Sequence, residues 1–270
     1  MRTIVHISDI HFGSVNPAII PPLIQQINEI RPNVVAVSGD LTQRARSEQF
    51  AEARRFLDQL PRPQIVVPGN HDIPLFNIFD RFYNPLGKYR RYITSDLDPS
   101  YFDNEIAILG VNTARSLTIK GGRINKTQVV WLRDQFCVVA PSVIKMVVTH
   151  HPFGVATGHD KKDLVGRVKM ALRELGDCGA DLFVSGHLHT GQTGHTAKFY
   201  EVDGITSLVV HAGTAASTRI RGEANSFNVI RTAQHEIQIE RWVWQPTEER
   251  FVDNVTDRFL RSEGGWIRME

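Results

Sequence analysis

Five short apolar runs, rich in β-branched residues, punctuate the first two thirds of the chain: Thr3–Ile7, Val34–Val37, Gln64–Val67, Ile144–Val148 and Asp181–Val184. Their length and continuity predict strands buried on both faces. Between them the period changes. Pro22–Ile30 places Leu23, Ile24, Ile27 and Ile30 on one stripe, and Pro32 closes it, which predicts a helix. Ser47 can cap a second helix that presents Phe50, Ala53, Phe56, Leu57 and Leu60. Asn125–Phe136 and Leu164–Leu175 are also helical in pattern, the latter stopped by Gly176. Alternating strands and helices through the first 190 or so residues predict an α/β fold.

The last third reads differently. Ile106–Val111, earlier in the chain, and then Ser207–Val210, Phe227–Arg231 and Glu236–Val243 predict more closely spaced strands. In the tail, Phe251, Val255 and Phe259 stand at helical spacing, followed by Gly264-Gly265-Trp266. No linker or repeat interrupts the pattern, so residues 1–270 are expected to form one domain with two sheets. A segment over 73–100 and a tail over 246–270 stand apart. The aromatic tail, with Trp242, Trp244, Phe251, Phe259 and Trp266, is expected to pack on the core or to make a homo-oligomer contact.

Composition narrows the classes. The 270 residues are 41% apolar and 22% charged, with a formal net charge of +2. That is ordinary for a globular protein, and it gives no electrostatic reason to expect a nucleic acid polymer. No apolar run is long enough to span a membrane. The two cysteines, Cys137 and Cys178, have no metal-type spacing, which predicts free thiols in a reducing, cytoplasmic setting.

Histidine changes the picture, with eleven in the chain. Each of the five predicted strands ends in a polar motif: Ser8-Asp9-Ile10-His11, Ser38-Gly39-Asp40, Pro68-Gly69-Asn70-His71-Asp72, Thr149-His150-His151 and Ser185-Gly186-His187-Leu188-His189. In an open α/β sheet, ligands bind at the strand C-terminal edge. Asp9 and His11, read as an extended pair, point the same way, and so do His187 and His189. Imidazole and carboxylate together suit zinc, manganese or iron better than calcium. The seven candidates Asp9, His11, Asp40, Asn70, His150, His187 and His189 are too many for one tetrahedral ion. They suffice for two ions if one carboxylate bridges. Two metals about 3.5–4 Å apart clamp both oxygens of an in-line phosphoryl displacement. Residue chemistry alone leaves His150 and His151 as alternatives. His6, His195, His211 and His235 are expected to be structural or superficial, as is His159.

Together these motifs resemble the signature of the calcineurin-like metallophosphoesterases. The resemblance implies a four-layer αββα sandwich with two mixed sheets and two divalent or trivalent transition metal ions at the sheet edge. By motif position, Asp9, His11 and His189 would hold the first metal and Asn70, His150 and His187 the second, with Asp40 bridging. His71 would be the proton donor to the leaving oxygen, oriented by Asp72. His151 would stand behind the ligands or beside the substrate. The reaction implied is in-line attack on phosphorus by a metal-bridging hydroxide.

Gly39-Asp40-Leu41-Thr42-Gln43-Arg44 departs from the Gly-Asp-x-Val-Asp-Arg-Gly of the protein phosphatase branch, and from the Gly-Asp-Leu-Phe-Asp of the nuclease branch. With Asp9-Ile10-His11-Phe12 it most resembles the bacterial branch of cyclic-nucleotide and glycerophosphodiester phosphodiesterases. That implies a small phosphodiester substrate. Arg219 and Arg221 either grip its phosphate or base, or belong to a charged hairpin. Residues 73–100, rich in aromatics, either cap the metals or pack as an ordinary amphipathic segment. The alternatives are a pyrophosphatase acting on a nucleotide–lipid headgroup and a scaffold that retains the fold without turnover.

Overall fold

A computed structural model of the protein describes residues 1–154, 163–175, 178–196, 207–219 and 222–269. His159, Gly176 and Arg221 lie outside the described residues. In chain order the strands are β1 (Arg2–Ile7), β2 (Val34–Ser38), β3 (Gln64–Val67), β4 (Ser100–Phe102), β5 (Ile106–Val111), β6 (Ile144–Thr149), β7 (Leu182–Ser185), β8 (Gln192–His195), β9 (Leu208–His211), β10 (Ser226–Ala233), β11 (Glu236–Gln245), β12 (Arg250–Ser262) and β13 (Gly265–Arg268). The helices are α1 (Ile20–Ile30), α2 (Ser47–Leu57), α3 (Ile78–Tyr83), α4 (Gly87–Tyr92), α5 (Lys126–Cys137) and α6 (Val168–Leu175).

The strands form two mixed sheets, ordered β13-β12-β11-β10-β1-β2-β3 and β4-β5-β6-β7-β9-β8. β1, β2 and β3 run parallel, as do β5, β6, β7 and β9. Strand alternation assigns each side chain to a layer. Ile4, Val34, Ala36, Ile65 and Val67 face inward and meet Ile106, Ile108, Ile144, Met146 and Val148 of the other sheet. Val5, Ile7, Val35 and Val37 face outward onto Leu23 and Ile27 of α1 and Phe50, Ala53 and Phe56 of α2. Ala107, Leu109 and Val147 pack against Val129, Leu132 and Phe136 of α5 and Ala171 and Leu172 of α6. The layers are therefore helix, sheet, sheet, helix, as expected. No helix among the described residues is long and apolar enough to cross a membrane.

Four expectations need correction. Ser47 opens α2 but does not cap it; the Gln49 side chain accepts from the Arg44 and Arg46 amides instead, at 2.9 and 3.4 Å. α6 starts at Val168, not Leu164, because Val165 and Gly166 are tied by backbone bonds to Pro152 and Gly122. Cys137 and Cys178 are joined in a disulfide across α5 and the segment after α6, with Cα atoms 4.9 Å apart. Spacing could not reveal that these two segments pack side by side, and the pairing removes the support for a reducing compartment.

The fourth concerns the tail, which is a strand. A four-residue spacing is a multiple of two as well as close to a helical turn, so it does not separate the two. β12 pairs antiparallel with β11 over its length, and a bulge shifts the register between Arg241↔Val255 and Trp242↔Asp253. The extra residue reverses the faces. Phe251 therefore enters the core under α1 and α2, while Phe259 enters the core between the sheets. Trp244, Phe251, Phe259 and Trp266 are all buried in their own chain, which takes them away from an oligomer contact. Phe259→Ala is expected to cost about 3–5 kcal/mol of stability, measured by urea unfolding. A loss below about 1 kcal/mol would mean the tail is not part of the core.

Candidate metal centre

The parallel strands end on one edge, and that edge gathers the motifs. The loops after β1 and β2 bond to each other: the Asp9, His11 and Phe12 amides donate to the Gly39, Asp40 and Leu41 carbonyls at 3.2, 3.0 and 2.8 Å. The loop after β7 joins the loop after β6 through the Gly186 amide and the His150 carbonyl, at 3.2 Å. These segments are not extended. Asp9, His11, Asp40, His187 and His189 all have φ between 51° and 71°. Non-glycine residues in that left-handed region cost about 1–3 kcal/mol each and gather at functional sites. Each pair flanks a buried apolar residue, Ile10 or Leu188, which anchors the kink in the core. Gly186 is required for close approach, since a Cβ there would collide with Ser8 Oγ and Asp9 Oδ2.

Asp9, His11, Asp40 and His189 bring one donor atom each within 4.8 Å of one another, all buried. Asp9 Oδ2 accepts from the His187 amide at 2.9 Å, which leaves Oδ1 facing His189 Nε2 at 3.2 Å and His11 Nε2 at 3.7 Å. His189 Nδ1 donates to the Arg219 carbonyl at 2.9 Å, so its Nε2 is the atom turned to the site. Asp9 Oδ1 and both ring nitrogens of His11 are buried with no hydrogen-bond partner among the described residues. Buried polar atoms are normally paired. Three orphans on two residues of one cluster fit a site built to hold a cation.

The second group lies across Asp40. His150 Nδ1 donates to the Ser38 carbonyl at 2.8 Å, and its Nε2 faces Asn70 Oδ1 at 3.1 Å and Asp40 Oδ2 at 3.4 Å. Asn70 is oriented by donation from Nδ2 to the Ile119 carbonyl, at 3.2 Å. The His187 ring stands 5.1 Å from the His150 ring, centroid to centroid. Asp40 Oδ2 is 3.7 Å from His11 Nε2, so one oxygen faces both groups. Asp40 Oδ1 is taken by the His71 amide at 2.8 Å. Burial alone would raise the Asp9 and Asp40 carboxyls. The rings around them, His189 foremost for Asp9 and His150 foremost for Asp40, hold both well below the ordinary carboxylate range. Burial disfavours a charged His150, but Asp40 outweighs it and lifts that ring to about 9. Burial, with His150 beside it, lowers His187 to about 3.

His151 is fully engaged elsewhere. Its Nε2 donates to the Lys120 carbonyl at 3.0 Å, so its Nδ1 accepts from Thr113 Oγ1 at 2.8 Å. It packs against the His150 and His187 rings, 4.9 and 4.7 Å away. Both nitrogens are thus engaged by the chain, although His151, His150 and His187 bring one donor atom each within 4.8 Å of one another. Asp72 is displaced from its expected role. Its carboxylate accepts from the Leu41, Thr42 and Gly69 amides at 3.2, 2.9 and 2.9 Å and from Thr42 Oγ1 at 3.0 Å. It ties the loops after β2 and β3 together and does not bond to the His71 ring. That ring is oriented by the Gln43 carbonyl, which accepts from Nδ1 at 3.0 Å.

His71 Nε2 and Arg219 Nη1 meet at 3.1 Å, the arginine donating. Both line a cavity of about 200 Å³ that also borders Asn70. Arg44, Arg81 and Lys120 line it as well, and no carboxylate among the described residues does. Sequence reasoning missed these three cations and Gln43. Arg44 sits in the Gly39–Arg44 segment and Arg81 in the aromatic one, where their charges drew no attention. Gln43 acts through its carbonyl, which leaves no mark in a sequence.

A family model for calcineurin-like phosphoesterases matches residues 2–191. The chain belongs to the calcineurin-like phosphoesterase family. A curated relative, the glycerophosphodiester phosphodiesterase GpdQ of Enterobacter lignolyticus, is 28% identical over 162 residues, covering 55% of this chain and 56% of GpdQ. The chain thus spans about half the length of that relative. Among solved structures, PhoD aligns with a TM-score of 0.71 at 9% identity, over all of this chain and 71% of that one. The yellow lupin purple acid phosphatase PPD1 aligns at 0.69 and 12%, over 94% of this chain and 53% of that one. A dimetal phosphatase from Danio rerio aligns at 0.60 and 14%, covering 94% and 98%. At such identities these three speak for the fold.

Metal uptake carries a proton signature. Asp40 lifts the His150 pKa to about 9, so if His150 holds a metal it would have to give up a proton before Nε2 could bind. Zinc titrated into chelator-treated protein at pH 7 is expected to release about one proton or more per chain. Affinity should rise as pH climbs towards 9. Calorimetry in buffers of different ionisation enthalpy measures this, and the absence of proton release would contradict it.

Proposed function

We propose that the protein is a dinuclear metal-dependent phosphodiesterase that hydrolyses a small phosphodiester of the glycerophosphodiester or cyclic-nucleotide class. The observation that carries this reading is the Asp40 carboxylate, with one oxygen 3.7 Å from His11 Nε2 and 3.4 Å from His150 Nε2. Asp9, His11 and His189 are assigned to one ion and Asn70, His150 and His187 to the other, each manganese, iron or zinc. The name of the GpdQ relative supports the diester class. The reading takes residues 1–270 as one domain.

Bound metals supply Lewis acidity towards a phosphate oxygen and towards water. The chain's own groups do the rest. Ser38 and Arg219 carbonyls fix the tautomers of His150 and His189, so each offers Nε2. Arg44, Arg81, Lys120 and Arg219 supply positive charge for the phosphate. Burial lowers the His71 pKa, and at rest Nε2 accepts from Arg219. An entering phosphate draws the Arg219 guanidinium to itself, and its negative charge raises the proton affinity of the freed Nε2. His71 then stands beside the leaving oxygen as its proton donor, with Gln43 holding Nδ1.

His71→Ala is expected to keep its metal and lose about 10²–10⁴-fold in turnover, whereas Asp40→Ala loses metal as well. Metal analysis and rates on bis(p-nitrophenyl) phosphate measure both. Full activity in His71→Ala would remove the ring from the mechanism. Preference for p-nitrophenyl phosphate would overturn the diester class.

A further inference from the structure

The cavity beside His71 opens onto an apolar surface that the reaction does not use. Ile78, Phe79, Phe82 and Tyr83 follow one another at i, i+1, i+4 and i+5, so α3 presents them on one face. All four are exposed, Phe79 at 69%. Arg81 points the other way and fixes the helix: Nη1 donates to the Pro74 carbonyl at 3.0 Å and Nη2 to the Thr118 carbonyl at 2.7 Å. That second bond sets α3 beside the loop that exposes Leu117, at 87%, and Ile119. Ile119 and Arg81 both line the cavity, so the exposed loop and α3 each border the cationic pocket. Phe76, also exposed, lies under the Arg44 guanidinium, 5.4 Å from its ring centroid.

An apolar face of this kind marks a contact surface. We propose that it docks on an anionic phospholipid surface, inserting Phe79, Leu117 and their neighbours, and that the phosphodiester entering the pocket is a glycerophosphodiester still bearing its acyl chains. The chemistry of that step rests on the phosphodiesterase reading; the docking does not. Charge complementarity selects this occupant. Among the described residues the pocket is lined by cations with no carboxylate, and Asp80 of α3 is engaged by Asn77 Nδ2, so the partner carries negative charge next to hydrocarbon, as an anionic lipid does. A second copy of the chain fits poorly, because a two-fold contact would set the same cations against each other. A nucleic acid fits poorly too. Ile78, Leu117 and Ile119 offer no ring for a base, and Phe79 and Tyr83 already stack on each other at 4.5 Å. The net charge of +2 hides this local asymmetry.

The test is co-sedimentation of the full chain with vesicles of phosphatidylcholine alone and of phosphatidylcholine with phosphatidylglycerol. Binding is expected to the anionic vesicles and to fall about tenfold or more in the double variant Phe79→Ser, Leu117→Ser. The same variant should keep its circular dichroism and its rate on bis(p-nitrophenyl) phosphate, since both side chains are exposed and outside the pocket. No binding to either vesicle, or equal binding by the variant, overturns the proposal. So does a dimer in light scattering that the variant dissolves without any vesicle binding. Failure of the wild type to cleave bis(p-nitrophenyl) phosphate while it still binds vesicles would instead strike the phosphodiesterase reading.

Discussion

A buried carboxylate is costly unless something nearby compensates its charge, and Asp40 is almost wholly enclosed at the meeting of two sheets. Its compensation dictates the surroundings. One oxygen takes the His71 amide, and the other faces histidines from two different loops. Gly69 and Gly39 have no side chain because there is no room for one: a Cβ on Gly69 would strike Asp40, and one on Gly39 would strike Gly69 and His150. The order of β1, β2 and β3 in one sheet and β6 and β7 in the other brings those loops to one edge. On the proposed reading, the unfavourable charge and the unfavourable left-handed backbone of five ligands are both compensated by cations at the site.

The groups behind the candidate ligands are as decisive as the candidates themselves. Carbonyls of Ser38, Gln43, Lys120 and Arg219 each accept from one nitrogen of a neighbouring histidine and so decide what its other nitrogen faces. His150, His189 and His71 are thereby turned towards the centre, and His151 is withdrawn. Asp72 stabilises the same architecture by bonding three backbone amides of the loops that carry Asp40 and Asn70. Burial and nearby Asp40 raise its carboxyl to about 6.

Much of this was legible in the chain. Buried parallel strands need apolar residues on both faces, so β1, β2, β3, β6 and β7 stand out as continuous runs. A polar motif at the end of each located the site. The tail was misread because Phe251, Val255 and Phe259 satisfy a period of two as well as a helical one, and a bulge then sends the two phenylalanines to different cores. Asp9 and His11 gather on one side, but by left-handed kinks around buried Ile10, not by extended alternation. Roles set by backbone groups were invisible, which is why Asp72 was expected to orient His71, His151 was left with two possible places, and Gln43 was overlooked. The Cys137–Cys178 bond depends on helix packing that spacing does not encode.

The central claim is that one carboxylate faces two metal positions in this chain. The most direct test is the metal content of wild-type protein saturated with manganese, passed over a desalting column and analysed by mass spectrometry. Two ions per chain are predicted. Saturation at one ion, or none retained, would contradict the account.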